Sequence, residues 1–211
     1  MSKRFITAAV ALLVALGSCQ ESGGQKEATN RVDTAAPAAS ADTSTTEPAA
    51  KRAPFSDEYI DWKTATINGK QPLLGKTDAL FKALGHPDSL ANPDMNDVCV
   101  SFYDKKFRYA YFKGSVVEVY GDTAVVGSLD FRHNPQLALH TPTMRLSHAT
   151  TLEALAKQFP QAVKEQYSLN VYRIGKVTAV NLATGREPSD DAWLLLFDGG
   201  KLIKIDYWMP C

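Results

Sequence analysis

Three cysteines, four histidines and one short acidic run are where this chain could do chemistry. Cys99 and Cys211 are far apart in sequence, and neither has a neighbour suited to act as its base, so thiol catalysis has no support. In an oxidising compartment they suit a disulfide instead. That bond would enclose more than a hundred residues, and chain entropy alone would make it worth about 4–5 kcal/mol. The alternative is two unpaired thiols, one in a strand and one on the last residue. His86, His133, His140 and His148 fall in turns or loops. A zinc site made from the last three would need irregularly spaced ligands to converge, and solvated loop side chains are the simpler reading. "DSLANPDMNDV" offers Asp88, Asp94, Asn96 and Asp97 as oxygen ligands but lacks the central glycine and closing glutamate of a calcium loop. It reads as a polar connection into a strand, and Asp190-Asp191 as a solvated loop. No Gly-x-Ser-x-Gly elbow, phosphate-cradling glycine loop or His-Glu-x-x-His helix is present. We therefore assign no catalytic residue, metal or other cofactor, and expect a protein that is not an enzyme.

The third cysteine belongs to a different context. "MSKRFITAAVALLVALGSC" places Lys3 and Arg4 before an apolar run from Phe5 to Leu16, too short to span a bilayer and laid out like an export signal. It closes on Leu16-Gly17-Ser18-Cys19, which resembles the bacterial lipoprotein box. The resemblance implies a signal peptide over 1–18, removed on maturation, and a diacylglyceryl group on the Cys19 sulfur. The other reading is an ordinary secretion signal with an incidental cysteine. Several acyl chains, at about 0.8 kcal/mol per buried methylene, would make the anchor durable. Gln20, where retention at the inner membrane would call for Asp, implies the outer membrane of a bacterial envelope.

Residues 20–52, "QESGGQKEATNRVDTAAPAASADTSTTEPAAKR", hold Val32 as their sole large aliphatic side chain and no aromatic. Such a segment cannot bury enough apolar surface to offset its ordering entropy, and we expect a disordered tether over 19–52 spanning roughly 30 Å. The remaining stretch, 53–211, is long enough for one domain with a real core. Across the chain 23 basic residues balance 23 acidic ones, which gives no electrostatic footprint for nucleic acid or an anionic membrane surface.

Within 53–211 a pattern occurs twice. "DALFKALG" at 78–85 and "EALAKQFP" at 153–160 carry the same acid-Ala-Leu-x-Lys order at helical spacing. Gly85-His86-Pro87 stops the first helix; Thr150 or Thr151 caps the second, with Glu153 in its first turn, and Pro160 closes it. Upstream, "TATINGKQPLL" reads as a strand with a tight turn at Asn68-Gly69. The runs "VCVSFY", "FRYAYF", "VVEVY" and "AVVGSLDF" come after the first helix, and "SLNVYRI", "KVTAVNL", "AWLLLF" and "KLIKIDYW" after the second, joined mostly by short polar turns. The expected fold is α+β: a duplicated unit of helix plus antiparallel meander, over about 64–132 and 143–208. Stacked units would make one continuous antiparallel sheet with helices on one face, since neither could bury its sheet alone.

Helix, Gly-x-Pro or Phe-Pro stop and meander, written twice over about 70–208, resemble the β-lactamase inhibitory protein family and the single-unit envelope lipoproteins of the BamE type. The resemblance implies a binding module whose helices cover one sheet face while aromatic side chains on the concave face hold partner proteins. The chain departs from the inhibitor pattern in having two domain cysteines where that family has a disulfide in each copy.

Strand alternation nominates the contact residues independently. Tyr109 and Tyr111 share a face, Val117 and Val119 oppose Glu118 and Tyr120, and Ile203, Ile205 and Tyr207 oppose Lys204, Asp206 and Trp208. Faces mixing aromatic and polar residues suit an open binding surface, and the candidates are Tyr103, Tyr109, Tyr111, Tyr120 and Trp208. The competing reading puts several of them in the core, Tyr109 and Tyr111 first. The function expected is a non-catalytic, lipid-anchored module binding an unidentified envelope protein through its sheet face. The alternative is a small-ligand or metal sensor using the cleft between the copies and the 183–191 loop.

Overall fold

Asn68-Gly69 and Lys113-Gly114 show how local chemistry cuts this chain into hairpins. All four residues hold positive φ, at 50°, 72°, 50° and 94°, the left-handed pairs that two-residue hairpin turns require. Gly114 has a second reason to be glycine: a Cβ there would fall 2.6 Å from Asp130 Oδ2.

The computed structural model describes residues 57–211. The expected signal peptide, Cys19 and the tether lie outside the described residues. In chain order come β1 (Thr66–Ile67), β2 (Gln71–Pro72), β3 (Leu74–Lys76), α1 (Thr77–Leu84), β4 (Ser89–Ala91), β5 (Arg108–Phe112), β6 (Ser115–Tyr120), β7 (Thr123–Asp130), β8 (Leu139–His140) and β9 (Arg145–Leu146). The second half adds α2 (Leu152–Ala156), α3 (Pro160–Lys164), β10 (Tyr167–Val171), β11 (Gly175–Ala183), β12 (Ala192–Asp198) and β13 (Lys201–Trp208). None of these helices is long and apolar enough to cross a membrane.

The fold is sheet-rich and its ladders are antiparallel. A nine-stranded sheet runs β10-β11-β12-β13-β7-β6-β5-β4, with β3 also pairing β7. Two four-stranded meanders thus meet edge to edge at β7 and β13, through Ser128 opposite Asp206, Leu129 opposite Ile205 and Asp130 opposite Lys204. β3 occupies the same edge of β7 nearer its start, pairing Leu74 with Val125 and Lys76 with Thr123. A four-stranded sheet, β2-β1-β8-β9, completes the architecture.

Two bulges set which side chains face which way. Val116 pairs with Ser128 but Val117 with Val126, so Gly127 is an extra residue in β7. Across the junction Leu196 pairs with Lys204 but Phe197 with Leu202, which makes Ile203 the extra residue in β13. The larger core cluster accordingly takes Ala124 and Val126 before the first bulge, Leu129 and Phe131 after it. It also holds Val117, Val119, Leu182, Leu195 and Ile205 from other strands and the buried Leu80, Leu155, Ala162 and Val163 from the three helices. A smaller cluster of Val177, Ala179, Leu194, Leu196 and Ile203 lies on the alternate side chains of β11, β12 and β13.

Three sequence expectations need correction. "VCVSFY" forms no strand; it lies in the irregular segment between β4 and β5. Its hydrogen bonds go elsewhere: the Phe102 amide donates to the Glu118 carboxylate at 3.1 Å and the Ser101 hydroxyl to the Tyr103 carbonyl at 2.9 Å. The edge of β5 is taken by β4, read in the sequence as a polar connection. Pro160 opens α3 rather than ending the helix that begins at Leu152, its missing N–H costing nothing in a first turn. The cap of α2 is Thr151, whose hydroxyl accepts from the Ala154 amide at 3.1 Å.

Cys99 and Cys211 form a disulfide, their Cα atoms 5.4 Å apart. It ties the β4–β5 segment to the residues after β13 across a sequence separation of 112. The same segment is also held by Phe102, which stacks on Trp62 at 6.0 Å and lies against Tyr207 at 5.0 Å. Packing thus already orders the segment in the folded protein, and the bond acts mainly by restricting the unfolded chain. Replacing both cysteines with serine should lower unfolding free energy by about 2–4 kcal/mol, read from guanidinium denaturation monitored by tryptophan fluorescence. An unchanged midpoint would mean that the bond adds no net stability.

Candidate functional site

The sheet face carrying the smaller cluster continues across the junction into a groove. Cross-strand register builds its floor as a row: Tyr111 opposite Val116, Val116 opposite Ser128, Ser128 opposite Asp206, Asp206 opposite Leu194. Beside that row Tyr109 stands opposite Glu118, and Lys204 between Asp130 and Leu196. The groove encloses about 410 Å³ and adds Val100, Trp208 and Met209 to these neighbours as lining. Its walls thus come from both meanders and from the segment that the disulfide pins.

Glu118 is its most unusual member. A carboxylate flanked by Val117 and Val119 in a central strand, it is only 6% exposed. Oε2 accepts both the Phe102 amide and the Tyr120 hydroxyl. Burial pushes its pKa up, against those two bonds, which favour the charged form. The Tyr120 hydroxyl is pushed up to about 12 by burial first and then by its bond to Glu118. Tyr109 is raised as well, through burial and then the nearby Glu118 charge.

Across the groove Lys204 Nζ lies 2.7 Å from Asp206 Oδ1, both side chains largely buried. Burial raises the Asp206 pKa, and Lys204 offsets part of that. The buried Ser128 hydroxyl lies near enough to favour the Asp206 charge without the geometry of a hydrogen bond. Asp130, fully buried on the same face, is held by the Arg132 guanidinium at 2.5 to 3.1 Å.

Of the residues nominated from sequence, Tyr109, Tyr111 and Trp208 line the groove, the two tyrosine rings 6.2 Å apart. Trp208 packs partly on the smaller core cluster. Tyr120 is engaged beside it, edge-on to Tyr103 at 5.0 Å and against Phe107 at 5.3 Å. Tyr103 is not on the sheet; it stands on the pinned segment, 37% exposed. Glu118, Lys204 and Asp206 were visible as polar residues alternating with apolar ones, but nothing in the sequence joins them into one site. The 183–191 loop does not line the groove; Asp191 instead accepts the Tyr207 hydroxyl at 2.6 Å.

Among the described residues no three of His, Cys, Asp and Glu converge as metal ligands. His148 Nδ1 lies 3.2 Å from the Leu202 carbonyl, and Asp94 Oδ1 accepts from the Asn96 amide at 3.0 Å in a local turn. The groove offers aromatic faces, one ion pair and a buried carboxylate, an arrangement suited to holding another molecule. Compared with family models, curated proteins and solved structures, the chain matches none of them.

The raised Glu118 pKa has a definite sign for stability. A carboxyl that holds its proton more tightly when folded contributes stability below its ordinary value near 4.5. That contribution is lost as pH rises through the higher folded value. Glu118→Gln keeps one oxygen to accept both bonds and does not titrate. Its melting temperature relative to the native protein should therefore climb between acid and neutral pH. A difference independent of pH would show that Glu118 titrates alike in folded and unfolded chains.

Proposed function

We propose that this is a lipid-anchored bacterial envelope protein that binds a partner protein through the open sheet face, with no covalent chemistry. The observation that carries the reading is the uncovered groove, in which Tyr109, Tyr111 and Trp208 present aromatic surface on both sides of the β7–β13 junction. Aromatic side chains offer large contact area for little rotamer entropy, and such residues dominate interface energies. Two meanders joined antiparallel at their last strands suit a duplicated helix-plus-meander unit of the kind the inhibitory-protein family uses. The larger core, which holds the buried side chains of all three helices, suits helices gathered on the face away from the groove. The anchor and its placement at the outer membrane rest on the Leu16–Cys19 box and on Gln20.

A second reading has one observation in its favour: about 410 Å³ is within the range of small-ligand sites. It would make the protein an envelope sensor of a small molecule.

The test is affinity capture from detergent-solubilised envelope with the full-length protein and its Tyr109→Ala, Tyr111→Ala, Trp208→Ala variant. Truncating hot-spot aromatics costs about 2 kcal/mol or more each. A partner on this face should therefore be lost from the triple variant while circular dichroism stays unchanged. Equal capture by both proteins would reject the sheet face, and capture of nothing would favour the small ligand.

A further inference from the structure

We infer that the groove receives an arginine side chain of the partner protein, laid against Tyr109 and Tyr111 with its guanidinium at Glu118. This rests on the protein-binding reading above and gives it a chemistry. The groove lining carries two carboxylates, Glu118 and Asp206, against one ammonium, Lys204. Lys204 is committed to Asp206 at 2.7 Å, so the unmatched negative charge belongs to Glu118. The two donors to Glu118 are neutral and share Oε2; Oε1 accepts from none of the described residues. A carboxylate withdrawn from water without a cation is electrostatically unfavourable, and an incoming cation relieves it. Burial disfavours the bare Glu118 charge, and a guanidinium at Oε1 would compensate it.

The neighbouring side chains select the cation. Tyr109 stands directly opposite Glu118 in the ladder, with Tyr111 beside it on the same strand. A guanidinium is planar, weakly hydrated and able to stack on an aromatic ring while donating to a carboxylate; an ammonium does this less well. Trp208, across the junction, supplies aromatic surface beyond what one guanidinium covers. That surplus suits a side chain presented by a protein surface rather than a free small cation.

A display library of randomised peptides selected on the full-length protein in detergent tests the inference. Binders are titrated against the native protein, Glu118→Gln, and Tyr109→Ala, Trp208→Ala, with melting curves checking each fold. The expected binders share an arginine, weaken about tenfold or more on Glu118→Gln, and weaken similarly when citrulline, neutral and isosteric, replaces that arginine. Binders that need Tyr109 and Trp208 yet lack arginine, or that bind Glu118→Gln unchanged, overturn the arginine and leave sheet-face binding standing. Binders indifferent to every variant, or no binders at all, overturn both.

Discussion

A ladder of three residues on each side joins the two meanders edge to edge. Ser128 to Asp130 of β7 pair with Lys204 to Asp206 of β13, and the other half of that β7 edge is given to β3. So short a ladder is weak on hydrogen bonds alone, since each contributes about 1 kcal/mol net. Side chains strengthen it from both faces. On the core side Leu129 meets Ile205, which continues to Leu195 and Val180 in one buried row. On the groove side, Asp130 with its Arg132 clamp stands opposite Lys204, and Lys204 pairs with Asp206. The charges sit at the junction because the ladder puts them on one face. They persist because each has a partner there.

The groove arises from the same arrangement. β13 pairs β7 only as far as Asp206, where Ser128 is its last partner, while Tyr207 and Trp208 continue against β12. Tyr207 turns into an aromatic cluster with Trp62, Phe102 and Trp193, and Trp208 faces the groove. The segment carrying Phe102 is therefore fixed by core aromatics on one side and by Glu118 and Tyr120 on the other. Groove and core share a wall.

How much of this could be read from sequence depended on how local the cause was. The strands from β5 to β7 and from β10 to β13 were legible, because alternation and short polar turns are written within a few residues of each other. β4, β8 and β9, of two or three residues, are too short to show any period. "VCVSFY" alternates like a strand, yet its backbone is claimed by Glu118, which lies sixteen positions beyond Phe102. Tyr109, Tyr111 and Trp208 were placed by alternation alone. Tyr103 was misplaced with its false strand, and the engagement of Tyr120 with Glu118 required two side chains whose burial depends on a distant segment. Register across β7 and β13, on which the groove's charge balance rests, is a non-local fact that a single sequence does not display.

The bulges at Gly127 and Ile203 lie on neighbouring strands, one on each side of the junction. Along β7, the residues before Gly127 alternate in one phase and those after it in the other, and Ile203 does the same for β13. Were β7 paired regularly through Gly127, with no bulge, Leu129 and Phe131 would turn outward and Ser128 and Asp130, carboxylate included, would be driven into the apolar core. Regular pairing through Ile203 would likewise turn Leu202 out of the core and Lys201 into it. Each strand thus keeps its core residues inward only because its extra residue is bulged out of the ladder. The groove's charged row depends on two irregularities in the ladder as much as on the side chains that line it.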